Sequence, residues 1–394
     1  MSLKIIMVHS GVLDINTGGG IHTFELFKNL CSRNKVICFA SKPSKTTVGH
    51  PNLRYIPRFD IPGIRSISYD IFLVFYLAYY CLTFKPDVIY ARKPGLGLSP
   101  ALLAKIFRVP YIVELNGLKR DDMLALNPNS NTFVVRIAEF VEKVNYVLAA
   151  AIVTVTPEIK NGLIVDYGIP ETRINVIENG VNSDIFRPVD RNEAIKWLGL
   201  DQTYNYVCFV GGLAPWHGVE YLVEAAPLVL KEVPNTVFLI VGDGPMKDKL
   251  MSQVIDLKLS DHFIFTGNVP HAHIPYYICA SDLCTAPFIP GRNTKTGLSP
   301  LKIYEYLACG KSVIASDLPG VKEIITESHG GTLVEPRDAE GLGQAIVRIL
   351  TGGSAKIAKP DDLSKYITEH HSWAVVAKRT ENVLINTLMP TKIG

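Results

Sequence analysis

The residues from Arg292 to Gly310 have types and spacing that suit the binding of a diphosphate. Ser299 is a good helix N-cap, Pro300 suits the first helical position, and Gly310 suits the position just past a helix end. A helix start presents unpaired amide groups and the positive end of the helix dipole, so an anion is stable there. The sequence therefore predicts a short helix with an anion site at its start.

Charged side chains around this predicted helix extend the site. Arg292, Lys295 and Lys302 would place cations near its start. Glu305 lies six residues past Ser299, roughly 9 Å along a helix axis, and a carboxylate there can accept hydrogen bonds from the two hydroxyls of a ribose. The alternative is a surface helix on which Lys302 and Glu305 form an i,i+3 pair.

Two glycine-rich turns could also approach phosphates. The first runs from Thr17 to His22, follows the first apolar segment, and would aim the amides of Gly19 and Gly20 and a helix start at an anion. The second, residues 241–245, also follows an apolar segment. Either could instead be a plain tight turn, because neither has the spacing of a dinucleotide fingerprint.

The elements that must position these residues form two series of apolar segments alternating with helical stretches. Such an alternation predicts an α/β fold with two Rossmann-like, doubly wound parallel sheets facing each other across a cleft, with ligands at the carboxyl ends of the strands. We expect domains at residues 1–188 and 189–371 and a final segment at 372–394. The predicted strands are 5–8, 36–39, 88–90, 111–114, 152–155 and 174–177, then 206–210, 237–241, 263–265, 283–286, 313–315 and 332–334.

Composition narrows the class of protein. The 394 residues are 47% hydrophobic and 20% charged, as in ordinary globular proteins, and the net charge of +3 gives no reason to expect nucleic acid as a partner. Residues 1–188 carry 21 Lys and Arg against 15 Asp and Glu, whereas residues 189–394 carry 19 against 22. A basic first half suits an acidic acceptor or an anionic membrane surface, or it is a chance imbalance.

The seven cysteines and the first residues of the chain indicate the cellular compartment. The cysteines lie mostly in apolar stretches without a C-x-x-C pair, and residues 1–8 resemble a first strand more than a signal peptide. We therefore expect reduced cysteines and a cytoplasmic protein. The apolar segment 69–84 is too short to span a bilayer, and we expect a buried core helix there. The alternative is a helix lying in the membrane interface, which would make the protein peripheral on the inner face of the membrane.

Several motifs together resemble the family 4 retaining glycosyltransferases, which have the GT-B fold. The resemblance covers nearly the whole chain, and its end, residues 372–377, is similar to a final helix that crosses back to the N-terminal domain in that family. The motifs are the early glycine-rich turn, Asn179-Gly180-Val181-Asn182, Val210-Gly211-Gly212-Leu213, Val241-Gly242-Asp243-Gly244-Pro245, Phe265-Thr266-Gly267-Asn268-Val269 and Glu305-Tyr306-Leu307-Ala308-Cys309-Gly310-Lys311.

This resemblance implies roles for the residues near the predicted helix. The family carries two glutamates separated by seven residues. Glu305 stands at the second, which holds the donor ribose, and Gly297 stands at the first, which lies near the donor sugar. Gly212 and His217 occupy positions where relatives tend to place an Arg and a Lys on the diphosphate. The resemblance also implies donor contacts from Ser299, Leu301 and Val269.

The missing cations have candidate replacements in Lys302, Arg292 and Lys295, and His217 can still donate a hydrogen bond to a phosphate oxygen. Asn116 stands where many relatives carry a His, so it would approach the donor sugar from the N-terminal domain. Its alternative is a simple polar turn at a strand end. The expected catalytic residues are thus Lys302, His217 and Asn116.

The expected activity is transfer of a sugar, with retained anomeric configuration, from a UDP- or GDP-sugar to a hydroxyl of an acceptor sugar or lipid-linked glycan. The protein would act by electrostatic stabilisation and orientation, and we expect no metal and no organic cofactor. Two alternatives stay open. One is a nucleotide-sugar epimerase, and the other is a nucleotide-sugar-binding protein without turnover.

Overall fold

The computed structural model describes residues 2–15, 17–41, 49–61, 64–92, 97–118, 120, 123, 131–353 and 357–389. The chain divides into two compact units. The first comprises Met1–Asn179 together with Trp373–Gly394, and the second is the continuous stretch Gly180–Ser372.

The first unit is built on a seven-stranded parallel sheet in the order β3-β2-β1-β4-β5-β6-β7. Its strands are β1 (Lys4–Val12), β2 (Lys35–Ser41), β3 (Leu53–Ile56), β4 (Val88–Arg92), β5 (Tyr111–Leu115), β6 (Ala151–Thr154) and β7 (Ile174–Val176). Its labelled helices are α1 (Gly18–Cys31), α2 (Arg65–Thr83), α3 (Ser99–Phe107), α4 (Thr132–Leu148) and α5 (Pro157–Tyr167).

The second unit repeats the strand order on a six-stranded parallel sheet, β10-β9-β8-β11-β12-β13. Its strands are β8 (Asn205–Val210), β9 (Thr236–Val241), β10 (Phe263–Gly267), β11 (Leu283–Ala286), β12 (Val313–Ser316) and β13 (Gly331–Val334). Its helices are α6 (Arg191–Leu198), α7 (Val219–Glu232), α8 (Lys247–Asp256), α9 (Ile274–Ala280), α10 (Arg292–Thr296), α11 (Leu301–Ala308), α12 (Val321–Ser328), α13 (Ala339–Leu350) and α14 (Pro360–His371).

The predicted fold class of two Rossmann-like parallel α/β sheets is confirmed. All twelve predicted strands are present. They are near-continuous apolar runs, as suits a sheet covered on both faces, and Thr236–Val241 is buried throughout. Strand β3 was missed, since Leu-Arg-Tyr-Ile is a short edge segment with no distinct periodicity. In each sheet the strand order reverses between two neighbours, β1 and β4 or β8 and β11, and such points are where ligands bind.

The last helix, α15 (Trp373–Leu388), belongs to the first unit. It packs against α1, so the chain returns to the first unit after completing the second.

Helix α2 differs from the expected core helix. It begins at Arg65 and has 19 residues, so by length and composition it could cross a membrane, which corrects the expectation that the segment is too short. Only 28% of its apolar stretch is buried. The buried stripe, Tyr69, Leu73, Leu77 and Cys81, joins the core of the first unit, and the opposite side of the helix is exposed.

Candidate functional site

Helix α11 of the second unit carries the predicted donor residues, and its start differs in detail from the prediction. The helix begins at Leu301 with Pro300 in the cap position, so Ser299 is not the cap residue as predicted. Its hydroxyl instead lies 3.4 Å from that of Tyr304. The predicted helix end is confirmed, because Gly310 follows it at φ 73°, in the left-handed conformation that favours glycine.

Lys302 is the most unusual side chain of this helix. It is buried, and its Nζ lies 3.9 Å from the centre of the Phe209 ring and 5.1 Å from that of Phe288, with no hydrogen-bond partner. Burial lowers the pKa of Lys302 to about 7, against an opposing attraction from Glu305. A buried ammonium without a partner is costly, and an anion beside its Nζ would offset that cost.

The glycine turn after β8 makes room for this ammonium. A Cβ on Gly211 would stand 2.8 Å from Lys302 Nζ, and Gly211 has φ 136°. The turn follows β8, and Phe288 follows β11. These are the two neighbouring strands between which the strand order of the second sheet reverses. Lys302 therefore points to the place where a doubly wound sheet binds its ligand.

His217 lies beside this turn, with Nδ1 hydrogen-bonded to the Gly212 carbonyl oxygen. A carbonyl can only accept, so Nδ1 carries the proton. Burial and the nearby charge of Lys302 lower the pKa of His217 to about 3, so the ring is neutral. Its Nε2 then presents a lone pair, and the predicted donation to a phosphate oxygen requires protonation of His217 when the anion binds.

The other predicted cations lie on α10. Arg292 approaches the Trp216 ring, 5.9 Å from its centre, and its charge also contributes to the lowered pKa of His217. Lys295 is exposed on the same short helix. The structure thus brings Arg292, His217 and Lys302 together.

Glu305 has a partner that the sequence did not reveal. Its Oε1 lies 3.2 Å from Nε2 of His271, and both side chains are largely buried. The His271 ring in turn packs edge-on against Phe186. His271 begins a 3-10 helix, His271–His273, after β10, and no spacing signal links it to α11. It holds the carboxylate of Glu305 in place.

Two further predicted donor contacts, Leu301 and Val269, are half-buried apolar side chains. Leu301 is half-buried at the first position of α11, and Val269 is half-buried against the core of the second unit. Their donor roles stay predictions.

The backbone at Gly297 prevents a simple return of the missing glutamate. Gly297 has φ 64° and ψ 179°, a conformation that is essentially restricted to glycine. We expect Gly297→Glu and Gly297→Ala to lower the free energy of unfolding equally, by about 1–3 kcal/mol, without a gain in turnover. Denaturant titration and a transfer assay measure the two quantities. Gly49→Ala, at a position without positive φ and in open space, is the neutral control. A Gly297→Glu variant of full stability and higher turnover would refute the strain.

The glycine-rich turn of the first unit opens a helix, and its role as an anion site stays a prediction. Helix α1 starts directly after the turn, with Thr17 as its N-cap. The Thr17 hydroxyl accepts a hydrogen bond from the Gly20 amide at 3.2 Å, and a Cβ on Gly20 would collide with the Asp14 carbonyl. The Gly20 amide is therefore already used by the cap, and the Gly19 carbonyl accepts a bond from Arg92 at 2.9 Å.

A buried charged cluster adjoins this turn. Nε2 of His22 lies 2.6 Å from Glu114 Oε1, and Arg92 Nε lies 3.2 Å from the same oxygen. The Tyr90 hydroxyl donates to Glu114 Oε2 at 2.7 Å, and His22 Nδ1 lies 2.5 Å from Oδ1 of Asn179. His22 lies in the second turn of α1, Tyr90 and Arg92 on β4 and Glu114 on β5, beside the reversal between β1 and β4, whereas Asn179 follows β7.

Burial and charge interactions shift the pKa values of this cluster. Burial raises the pKa of Glu114, but His22 and Arg92 outweigh it and bring the value down to about 2. Burial lowers the pKa of His22, and the Arg92 charge adds to this effect. This cluster was not predicted from the sequence. The available signals were a His beside a glycine turn and charged residues at the ends of otherwise apolar strands.

Asn116 follows β5, two residues after Glu114. Its Oδ1 is buried without a hydrogen-bond partner. It belongs to the first unit, whereas Lys302 and His217 belong to the second. In the part of the chain that the structure describes, no three His, Cys, Asp or Glu side chains are grouped as a metal site would require.

Two known protein families match this chain, one mainly in each unit. Residues 204–352 match the family described as Glycosyl transferases group 1, and residues 16–185 match the one described as Glycosyltransferase Family 4. The chain is a group 1, family 4-type glycosyltransferase. This family assignment confirms the predicted resemblance.

Two relatives of this glycosyltransferase illustrate the family. An uncharacterized glycosyltransferase of Methanocaldococcus jannaschii is 25% identical over 316 residues, covering 76% of this chain and 75% of the relative. The GDP-mannose-dependent alpha-(1-6)-phosphatidylinositol monomannoside mannosyltransferase of Mycobacterium tuberculosis is 26% identical over 221 residues, covering 55% of this chain and 56% of the relative.

Solved structures agree on the GT-B fold. Sucrose-phosphate synthase from Thermosynechococcus elongatus superposes with a TM-score of 0.78 at 19% identity, covering 99% of this chain and all of that one. HepE of Anabaena, solved in complex with UDP, superposes with a TM-score of 0.73 at 21% identity, covering 98% and 100%.

Proposed function

We propose that this glycosyltransferase transfers a sugar, with retention of anomeric configuration, from a UDP- or GDP-sugar to a hydroxyl of a sugar or lipid-linked acceptor. The observation that carries the donor part is Lys302, a buried ammonium without a hydrogen-bond partner, on the same helix as Glu305. Lys302 supplies charge for the diphosphate, and Glu305 supplies an acceptor for the ribose hydroxyls, three residues further along α11.

The transfer breaks the bond between the anomeric carbon and the diphosphate oxygen and forms a bond from that carbon to the acceptor oxygen on the same face. The acceptor proton passes to the departing diphosphate. Negative charge grows on this leaving group, so a cation in a dry site lowers the barrier more than it strengthens donor binding. Lys302 is held in such a site by Phe209 and Phe288. Asn116, with its unpaired oxygen, is our candidate for contact with the donor sugar.

The choice of UDP- or GDP-sugar rests on relatives of both kinds. HepE was solved with UDP, and the mycobacterial mannosyltransferase is GDP-mannose-dependent. A thermal-shift screen of this chain with UDP, GDP and ADP and their sugar conjugates tests the donor, because a ligand that binds the folded protein raises its melting temperature. A screen in which none of these compounds raises the melting temperature would contradict the proposal.

Replacement of Glu305 tests the ribose contact. We expect Glu305→Ala to weaken binding of the nucleotide-sugar by about tenfold to a hundredfold, since a charged acceptor is worth about 1.5–3 kcal/mol. Titration calorimetry measures the affinity. Glu327→Ala removes a carboxylate bonded to Tyr366 elsewhere in the same unit and serves as the control. Unchanged affinity in a folded Glu305→Ala protein would remove Glu305 from the donor site.

The family assignment favours transfer over the epimerase and the non-catalytic binder. A product assay distinguishes them, because transfer yields a glycosylated acceptor and free nucleoside diphosphate, and epimerisation yields an isomeric nucleotide-sugar. We further propose that the protein works in the cytoplasm. All seven cysteines are free, and six of them are buried.

A further inference from the structure

Helix α2 carries a second apolar stripe that the fold does not cover. Ile67, Ile71, Phe75, Tyr79 and Leu82 recur at intervals of three and four residues, on the side of the helix opposite the buried stripe, and all are exposed. Phe75 is 68% exposed. Neighbouring Phe72, by contrast, is partly buried against the core and packs on Phe59, so it belongs to the inner side.

Two neighbouring helices extend this surface. Helix α3 packs against both α2 and α4. It exposes Leu102 and Ile106, four residues apart. Helix α4 exposes a longer row consisting of Phe133, Val134, Ile137, Phe140 and Val147. We call the exposed apolar side chains of α2, α3 and α4 the apolar face. Isolated exposed apolar residues are common, but a large set on three helices that pack side by side indicates an interaction site.

The charges within the apolar face have one sign. The exposed charged residues of these three helices are Arg65, Lys105, Arg136 and Lys143, all cations, and Arg65 lies 3.6 Å from the carboxylate of Asp60, which precedes α2.

The acidic residues of these helices are hydrogen-bonded, paired with a cation or buried. Asp70 accepts a hydrogen bond from Ser99, Glu139 pairs with Arg120, and Glu142 is buried. A surface of aliphatic and aromatic side chains on helices whose exposed charged residues are cations is complementary to an anionic lipid bilayer.

We infer that the apolar face docks on a membrane surface that contains anionic lipid. Helix α2 lies along the bilayer interface and does not cross it, because its inner stripe is fixed in the core and the Tyr69 hydroxyl donates to the His9 carbonyl oxygen at 3.0 Å. Phe75, Tyr79 and Phe140 enter the lipid, and the four cations contact headgroups. Docking itself is independent of the proposed activity. Its consequence, an acceptor carried by a lipid, rests on that activity.

Flotation of the full-length protein tests the inference. We expect the chain to float with vesicles of phosphatidylcholine and phosphatidylglycerol, less with phosphatidylcholine alone, and less as salt rises. Phe75→Ser with Phe140→Ser should reduce the partition coefficient by about tenfold or more. Lys105→Glu with Lys143→Glu should abolish the preference for anionic lipid.

Matched controls lie outside the apolar face. Val165 is 80% exposed on α5 of the same unit, and Val165→Ser should float like the wild type. Lys322→Glu, on α12 of the second unit, should do the same. Circular dichroism and the melting temperature establish that each variant is folded.

Other results would overturn the inference. They include wild-type protein that stays at the bottom with both vesicle types, and folded face variants that float as well as the wild type. A third result has two parts: the wild type does not float, and it forms a dimer in analytical ultracentrifugation that substitutions in the apolar face dissociate. That result would assign the apolar face to contact with a second copy of the chain. Nucleotide binding measured on the same samples keeps failure of docking distinct from failure of the proposed activity.

Discussion

Lys302→Met is expected to make the donor-free protein more stable while reducing its turnover. In the wild type, folding moves an ammonium from water to a site without a hydrogen-bond partner and lowers its pKa from 10.5 to about 7. A shift of this size corresponds to about 4 kcal/mol of lost stability at neutral pH. Methionine has a similar length and no charge, so denaturant titration should show a gain approaching that value.

The pH dependence of this gain has a definite sign. The cost of protonated Lys302 is fully present below pH 7 and disappears as the pH rises from about 7 toward 10.5. The difference between Lys302→Met and wild type should therefore be largest at pH 6 and shrink toward pH 10. Lys322→Met, which replaces an exposed lysine paired with Asp317, should show almost no difference at either pH.

Steady-state kinetics completes this prediction. Turnover should fall more than donor affinity, because the leaving diphosphate gains charge toward the transition state. A variant that is more stable and equally active would move the phosphate role to Arg292 or Lys295. A variant that is less stable would show that Lys302 has a structural role in the donor-free protein.

Glu114→Ala is expected to be strongly destabilising. It leaves Arg92 and His22 without the carboxylate that both contact, inside a region where Arg92 and Glu114 are 3% and 1% exposed. Removing one partner of a buried ion pair costs about 3–5 kcal/mol. For a unit of this size the melting temperature should fall by ~10 °C. Glu139→Ala, which breaks the more exposed pair with Arg120, should cost less than about 1 kcal/mol.

Acid titration gives an independent test of the same carboxylate. Glu114 has a pKa of about 2 in the folded protein and an ordinary value of 4.5, so its contribution is complete above pH 4.5 and is lost as the pH falls toward 2. The wild type should lose more stability than Glu114→Gln over this range. Parallel curves would show that the cluster does not depend on the charge of Glu114.

The fold was predictable because it rests on local signals. Buried parallel strands are near-continuous apolar runs, so β1 and β9 could be recognised without any partner strand. Helix α11 was predicted from Pro300 and Gly310, and the resemblance implied Glu305. Its exact start was not predicted, since Pro300 and not Ser299 takes the cap position.

Contacts between residues distant in sequence could not be predicted. His271 reaches Glu305 across 34 positions, and Glu114 meets His22 across 92, so no periodicity within a helix or strand links them. The prediction that α2 is a buried core helix was wrong for a related reason. An apolar helix with one covered side and one open side has the same composition as a core helix, and only the packed neighbours distinguish them.

The second unit is an insertion in the first, and its two ends meet. The Val181 amide donates to the His371 carbonyl oxygen at 2.8 Å, and Val181 pairs with Ser372 as a parallel bridge. A ribosome therefore completes the whole second unit before it delivers α15, the helix that packs on α1. The second unit has its full sequence early and can fold while synthesis continues. The first unit must wait with one side of α1 uncovered, so a nascent chain that stops before Trp373 would expose that side and require a chaperone or be degraded.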